Sequence, residues 1–398
     1  MITKKRIMIL GAGVLQWPGI IKAKELGYEV IAVDMNPDAP GFKDADIKLV
    51  ISTIDIPAVL AAAKEYAISG IMTLASDMPM RTVACVGKAL GLAAISEEAA
   101  FRATDKHAMR QALKEHGVPV PVFFGVKDEC EYLHAIQQIP GNCFIVKPAD
   151  SSGSRGVHLV SRTEDPMPAF LNSKKFSRSG VVMVEEYMTG PEVSVESLTI
   201  DGETQVIAIT DKLIVGDGNF TEIGHTQPSA LPVAQQEEIR DVVCRTVKAI
   251  GIDQSPSHTE LKVTPNGVKV VEIGARLGGD NITTSLVPLS TGVDMLAACI
   301  RIAMGDPVDH FEKKQNSSAI RYFMPPVGTI LDIRNEDMAR AIPGVRDIRI
   351  LCGIGEKVVP ISSSTDRVGF VIAQGCDGRT AADICEEAVA AIHFEIQR

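Results

Sequence analysis

The sequence predicts a mixed α/β and α+β fold in three parts. A doubly wound parallel sheet comes first, a central α+β part follows, and a smaller β-rich module closes the chain. Three observations predict this. Strands and helices alternate from Arg6 to about Leu90, the rhythm of units whose crossovers lay helices over a parallel sheet. Between 120 and 190, short apolar runs are joined by Ser/Gly and Gly-Pro turns. From Ser317 the chain turns β-rich, punctuated by Pro325-Pro326, Pro343-Gly344 and Gly353–Gly355.

The 398 residues leave room for two or three domains, and 45% hydrophobic with 23% charged residues is ordinary for a globular protein. A net charge of −10 argues against a generic nucleic-acid or anionic-membrane surface, but leaves room for a local basic pocket. The eight cysteines show no C-x-x-C and no zinc spacing, as expected of reduced core thiols in a cytoplasmic protein. The basic start runs into an apolar stretch that breaks at Gly11 without a cleavage pattern. The longest apolar helix candidate, Val293–Met304, carries Asp294 and Arg301 and is too short to span a bilayer. The partners expected are therefore small molecules, with no nucleic acid and no membrane; a homodimer is the default assembly.

In chain order, the strand Arg6–Leu10 meets Gly11-Ala12-Gly13, a helix runs to about Glu25, and the strand Glu29–Val33 ends in Asp34. The turn tempts a dinucleotide reading, but the third glycine of G-x-G-x-x-G is replaced by Gln16. A tight turn facing a small anion is the alternative. Strands near Ile47–Ile51 and Gly70–Leu74 alternate with helices near Ile56–Tyr66 and Pro79–Leu90. Asp77 sits either where such sheets place ligands or as a helix cap. A helix Asp105–Glu115, capped by Thr104 or Asp105, puts Lys106 in its first turn, where the helix dipole disfavours a cation.

The strand Cys143–Lys147 leads into Ser151-Ser152-Gly153-Ser154-Arg155-Gly156, a loop that can fold its amides over phosphates, with Lys147 and Arg155 adding charge. A flexible hairpin turn is the plainer reading. Val181–Glu185 is followed by Glu186–Glu192 and another strand from Val193; Val184, Met188 and Glu192 could supply a purine floor and a ribose acid. After the strand Thr204–Leu213 comes a glycine-bearing loop (Gly216, Gly218, Gly224) holding Glu222 and His225, which reads as a mobile lid. Ala234–Ile250 is a core helix.

The stretch His258–Asp280 reads as a β-hairpin around Pro265-Asn266-Gly267. A three-residue loop pairs Thr264 with Val268 and sets Glu260 opposite Glu272; a two-residue Asn-Gly turn instead puts the acids on opposite faces. Adjacent carboxylates repel, so the first arrangement suits a hard divalent cation. Two solvated acids facing Lys262 and Lys269 are the alternative.

Taken together, TDK at 104–106, FIVKPADSSGSRGV at 144–157, VEEYMTGPEVSVE at 184–196, HTELK at 258–262 and VVEIGAR at 270–276 resemble the ATP-grasp superfamily along nearly the whole chain. EIGARLGGD resembles the L-amino-acid ligase group, alongside carbamoyl-phosphate-synthase-like chains. The resemblance implies an N-terminal α/β domain over 1–103 and a two-lobed nucleotide-binding domain over 104–310, its lid lobe at about 120–190. A C-terminal β-rich module over 311–398 completes the fold. It implies ATP with Mg²⁺ (or Mn²⁺) as cofactors. Lys106 and Lys147 resemble the nucleotide-phosphate lysines, Ser151, Ser152, Gly153, Ser154 and Gly156 the phosphate flap, and Lys212 a further phosphate contact. Glu185, Glu186 and Met188 resemble the adenine contacts and Glu192 the ribose acid. Glu260 and Glu272 resemble the metal ligands, and Arg276 the group that steadies the transferring phosphoryl, with Lys147 beside it.

Glu222, His225, His258, Gly278 and Gly279 are the substrate-end candidates; for the two histidines a structural role is equally open. One departure stands out: many relatives carry Asn where this chain has Gly274. The function implied is ATP-dependent carboxylate–amine ligation through an acyl phosphate. The alternatives are another acceptor on the same fold (bicarbonate, formate, or a nucleotide or sugar amine) or a nucleotide-binding protein without catalysis.

Overall fold

The computed structural model describes residues 4–216, 219–308, 311, 313–361, 363–376 and 378–397. The first part forms as the alternation predicts: β1 (Arg6–Leu10), α1 (Trp17–Glu25), β2 (Glu29–Asp34), β3 (Ile47–Val50), α2 (Ile56–Glu65), β4 (Gly70–Thr73) and α3 (Pro79–Leu90). The strands pair in parallel in the order β3-β2-β1-β4. β1 and β4 are almost wholly buried, as strands covered on both faces must be. Strand order reverses at β1, so the loops after β1 and β4 lie side by side at the strands' carboxyl ends. A helix the periodicity did not suggest, α4 (Glu97–Thr104), starts at Ser96, whose side chain accepts from the Ala99 amide. α5 (Lys106–Glu115) follows at once; Asp105 is its cap, while the Thr104 hydroxyl donates back to the Ala100 carbonyl.

The small lobe comprises β5 (Phe123–Val126), α6 (Glu129–Gln138), β6 (Cys143–Pro148), β7 (His158–Ser161), α7 (Met167–Phe176) and β8 (Val182–Glu186). Its antiparallel sheet runs β5-β8-β6-β7, and Tyr132 of α6 stacks on Phe170 of α7 at 4.7 Å beneath it. Side-chain period two divides the strands cleanly. Phe144, Val146, Val182 and Val184 enter the lobe core, while Ile145, Lys147 and Glu185 face the other way, into a cavity.

The remaining strands are β9 (Glu192–Ile200), β10 (Glu203–Gly216), β11 (Asn219–Gln227), β12 (Ser255–Thr264), β13 (Gly267–Gly274), β14 (Ser318–Tyr322), β15 (Gly328–Arg334), β16 (Val345–Ile350), β17 (Lys357–Val358), β18 (Gly369–Gln374) and β19 (His393–Gln397). Between them lie α8 (Val233–Ile250), α9 (Val287–Thr291), α10 (Met295–Met304), α11 (Glu336–Arg340) and α12 (Ala381–Ala391). One antiparallel sheet runs β13-β12-β9-β10-β11-β14-β18-β16. The closing β-rich stretch is thus not a separate layer. Three of its strands continue the central sheet, since β14 pairs with and so satisfies the outer edge of β11. β15, β17 and β19 form their own sheet.

Two expectations need correction. The segment expected as a mobile glycine loop is largely the β10–β11 hairpin, with Lys212 opposite His225. The alternation in Asn219–Gln227 outweighs its glycines, and Gly224 is there for space, because a Cβ would lie 2.8 Å from the Ile320 carbonyl oxygen. Gly218 lies outside the described residues. The His258–Asp280 hairpin, in turn, closes with Thr264 opposite Gly267, a two-residue Pro265-Asn266 turn and not a three-residue loop. That register would separate the acids, but β13 slips by one residue at Val271, and Glu260 faces Glu272 after all. The slip frees the Val271 carbonyl, which accepts from Arg110 Nη2 at 2.7 Å.

Among the described residues no single helix is long and apolar enough to cross a membrane.

Gly190 joins the small lobe to β9 at φ +124°, where a Cβ would lie 2.0 Å from the Val263 carbonyl oxygen. Gly190→Ala should therefore cost at least about 1–3 kcal/mol and lower the thermal midpoint, checked by calorimetry.

Candidate active site

A cavity of about 420 Å³ lies between the small lobe, the central sheet and the carboxyl ends of the parallel strands. That volume is in the range that takes a small ligand or cofactor. Apolar lining comes from Ile145, Val157, Met188 and Val271. Val184, expected as part of this floor, belongs to the lobe core by strand parity.

The flap is built from left-handed turns, with Gly153, Ser154 and Gly156 at φ +67°, +57° and +75°. Gly156 is also needed for space, since a Cβ would lie 2.9 Å from Phe176. Among the described residues no amide from Ser151 to Gly156 donates to another protein group. A row of unpaired N–H groups beside two lysines is an anion cradle. The Tyr187 and Met188 amides are likewise unspent and available to a ring edge.

Lys106 Nζ reaches the Ser151 carbonyl at 2.8 Å and Glu272 at 3.1 Å, tying the first turn of α5 to flap and hairpin. Burial depresses its pKa, but Glu272 and Asp77 more than compensate and the net shift is upward. Lys147 Nζ lies 2.7 Å from Glu185, which also takes Arg110 through both oxygens, at 2.9 and 3.1 Å. Burial, only partly offset by Glu185 and reinforced by Arg110, pushes Lys147 down. Against its own burial, Glu185 is held at about 2 by Arg110 and Lys147. Glu185 is thus wholly engaged in orienting these two cations. Arg110 was missed from the sequence; the available signal was a second cation one turn along from Lys106, between the buried Met109 and Leu113.

Glu260 and Glu272 face each other across the hairpin, and neither meets the lysines expected of solvated acids. Lys262 turns to Glu192 at 3.5 Å and Lys269 to Glu186 at 3.0 Å. Glu260 instead contacts Lys212 at 3.3 Å and His258 at 3.4 Å, and these outweigh burial to hold it well below the usual carboxylate range. Lys212 also binds Glu192 at 2.7 Å and Glu222 at 3.3 Å. Burial would lower Lys212, but Glu260, Glu192 and Glu222 raise it well above its ordinary value.

Among the described residues no group of three or more His, Cys, Asp or Glu forms a ready metal cage. Two carboxylates paired across the hairpin and lining this cavity nonetheless fit Mg²⁺, which is commonly held by one or two acids plus phosphate oxygens and water.

Of the residues expected at a substrate end, His258 meets the fully buried Glu196 through Nδ1 at 2.5 Å. Burial works against its charge, but Glu196 prevails and raises the imidazole to about 9. Gly278 permits this pair, since a Cβ there would lie 2.7 Å from His258 Nδ1 and 2.8 Å from Glu196. Gly279 lines the cavity beside Ala75. His225 is buried with neither ring nitrogen hydrogen-bonded to a described residue, 3.5 Å from Asp280. Arg367, just before β18, bridges Glu222 at 3.0 Å and Asp280 at 2.9 Å and lies over Tyr322 at 3.9 Å. Nothing local in the sequence marks Arg367; only the continuation of the sheet brings it here.

The turn after β1 is packed by its own side chains. The Gln16 side chain lies over Gly11 and Gly13, where a Cβ on Gly11 would meet it at 2.8 Å, and its amide donates to the Leu74 carbonyl. Asp34 accepts from the Ala12 amide at 2.8 Å.

The family model of the ATP-grasp domain matches residues 140–284, and that of L-amino acid ligase C-terminal domain 2 matches residues 321–397. The uncharacterized protein y4rH of Sinorhizobium fredii is 30% identical over 338 residues, which covers 84% of this chain and 69% of that one. A formate-dependent phosphoribosylglycinamide formyltransferase of Burkholderia cenocepacia is 27% identical over 408 residues, 97% of this chain and 95% of its own. Among solved structures, the L-amino acid ligase of Bacillus licheniformis superposes with a TM-score of 0.82 over 100% of both chains at 20% identity, a likeness of fold.

Removing one member of a buried ion cluster strands the others. Arg110→Met should cost about 3 kcal/mol of stability, seen as a lower denaturation midpoint than wild type.

Proposed function

This chain belongs to the ATP-grasp family of enzymes, and on that premise we propose that it is an ATP-dependent carboxylate–amine ligase of the amino-acid or dipeptide-forming kind. One observation carries the reading. The unpaired amides of the flap, Lys106, Lys147 and the opposed Glu260 and Glu272 all border one cavity. Each has a use in phosphoryl transfer, which needs positioning and charge stabilisation more than covalent help.

The flap amides and the two lysines hold the nucleotide phosphates, with the ring edge against Tyr187 and Met188 and the ribose near Glu192. Glu260 and Glu272 would hold Mg²⁺, which offsets phosphate charge when bound; Mn²⁺ shares its preference for oxygen ligands. Arg276 faces the substrate carboxylate as it takes the γ-phosphoryl group and becomes an acyl phosphate, with ADP leaving. An amine then attacks the acyl carbon and phosphate departs. The flap and the β10–β11 hairpin wall off the cavity, which keeps water from the acyl phosphate. Glu222, His225 and His258 line the same cavity and are our candidates for meeting the amine.

Gly274 belongs to this arrangement. A side chain there would meet Asp77 and Arg276 at 2.9 and 3.2 Å, so the asparagine of many relatives has no room. Two carboxylates are then the protein's share of the metal shell.

A second reading, formate as the activated acid and a sugar amine as acceptor, is favoured by the 27% identity to the formyltransferase along almost the whole chain. The match of residues 321–397 to the amino-acid-ligase module favours the first.

Phosphate release, screened with pairs of L-amino acids and with formate or bicarbonate plus sugar-phosphate amines, separates the two. Release with an amino-acid pair is expected; release only with formate would transfer the assignment. Glu272→Ala should lower ADP formation at least about 100-fold, and unchanged turnover would remove the metal role of Glu272.

A further inference from the structure

Arg276 lies two residues beyond β13, yet what orients it arrives from 199 residues away in sequence. Its Nε donates to Asp77 Oδ1 at 2.8 Å, and its Nη1 to the Leu277 carbonyl at 3.3 Å. Among the described residues nothing accepts from Nη2, while both Arg276 and Asp77 line the cavity. Two sides of the planar fork are therefore held by protein, and the third is presented to whatever fills the site.

Asp77 directs its side-chain hydrogen bonding to Arg276. It lies in the loop after β4, beside the start of α3, but no side chain caps that helix. Among the described residues its carboxylate makes one side-chain hydrogen bond, to Arg276. Its burial opposes ionisation, but Arg276 and Lys106 outweigh that and keep it charged, while Asp77 in turn raises Arg276.

Gly274 supplies an independent observation. It ends β13 and is not among the residues of positive φ, so its backbone tolerates any side chain. What excludes one is space. A Cβ there would sit 2.9 Å from Asp77 Oδ1, 3.2 Å from Arg276 Cζ and 3.3 Å from Arg276 Nε. The glycine opens a slot occupied by the Asp77–Arg276 pair.

We propose that Asp77 is the positioning residue for Arg276, and that the N-terminal parallel sheet thereby sets the donor that meets the transferring phosphoryl group. The inference rests on the reading of Arg276 given above. It explains why a sheet with no nucleotide cradle of its own is packed against the site. With Asp77 in place the guanidinium is fixed before substrate binds, and no rotamer freedom is lost in the transition state. Without it, Nε is released, the fork can swing into the Gly274 slot, and Nη2 leaves its aim.

The test uses the full chain and calorimetric titration with ADP plus Mg²⁺, then with aluminium fluoride added as a stand-in for the phosphoryl group in transfer. Asp77→Ala should bind ADP within about two-fold of wild type but lose about 10- to 100-fold of the affinity gained from fluoroaluminate, while Asp77→Asn, whose Oδ1 still accepts from Nε, should lose less. Gly274→Ala, which keeps Asp77 and crowds the pair, should lose part of that gain in the same direction. With a substrate pair found by the release screen, kcat should fall while KM for ATP stays put. An Asp77→Ala protein that melts like wild type and keeps the whole fluoroaluminate gain would overturn the proposal. If Asp77→Ala fails to fold, Gly274→Ala decides, and an unchanged gain there is equally fatal. Wild type that binds no ADP would instead defeat the ATP-site reading, and wild type that binds ADP without any gain would defeat the role of Arg276 and this proposal with it.

Discussion

Charge compensation in a confined space is the constraint on which this site depends. Lys106 is balanced by Glu272, Lys147 and Arg110 by Glu185, Lys212 by Glu192, Glu222 and Glu260, Arg276 by Asp77, and His258 by Glu196. Isolated charges at these depths would be expelled or neutralised. Paired ones stay ionised, and the cavity can remain densely charged between apolar cores. The arrangement also prepares the site. An anion entering beside Lys106 and Lys147 would meet cations that are already desolvated and oriented, at the cost of competing with their carboxylates.

These pairs draw on every part of the fold. α5 and the loop after β4 supply Lys106, Arg110 and Asp77; the small lobe supplies Lys147, Glu185 and the flap; the central sheet supplies the acids. Arg367 adds a clamp from the closing stretch, which reaches the site because β14, β18 and β16 extend the same sheet. The bulge at Val271 is where local and distant demands meet. It restores Glu272 to the face of Glu260, and it turns a carbonyl outward to Arg110.

Two expectations show how far periodicity reaches. The pairing of Glu260 with Glu272 was legible, but the turn assumed for it was not the one formed. A three-residue loop and a two-residue turn followed by a bulge give the same cross-strand neighbours, and nothing in the local residues distinguishes them. The glycines of 216–224 suggested a mobile lid, whereas Asn219–Gln227 alternates and pairs on both edges. Gly224 makes room for Arg321 and the β14 backbone.

The sequence by itself determined the parallel first sheet, the hairpin, and many of the charged residues that line the cavity, because periodicity, turn chemistry and short motifs are properties of neighbouring residues. It also marked the first turn as a departure from the dinucleotide fingerprint, through Gln16 in place of a glycine. Tertiary structure alone decided what each charge faces. Arg110 beside Glu185, Asp77 beside Arg276 and Arg367 between Glu222 and Asp280 join residues 75, 199, 145 and 87 positions apart. Such partners carry no local signature, since an ion pair is selected by the space two elements share and not by distance along the chain.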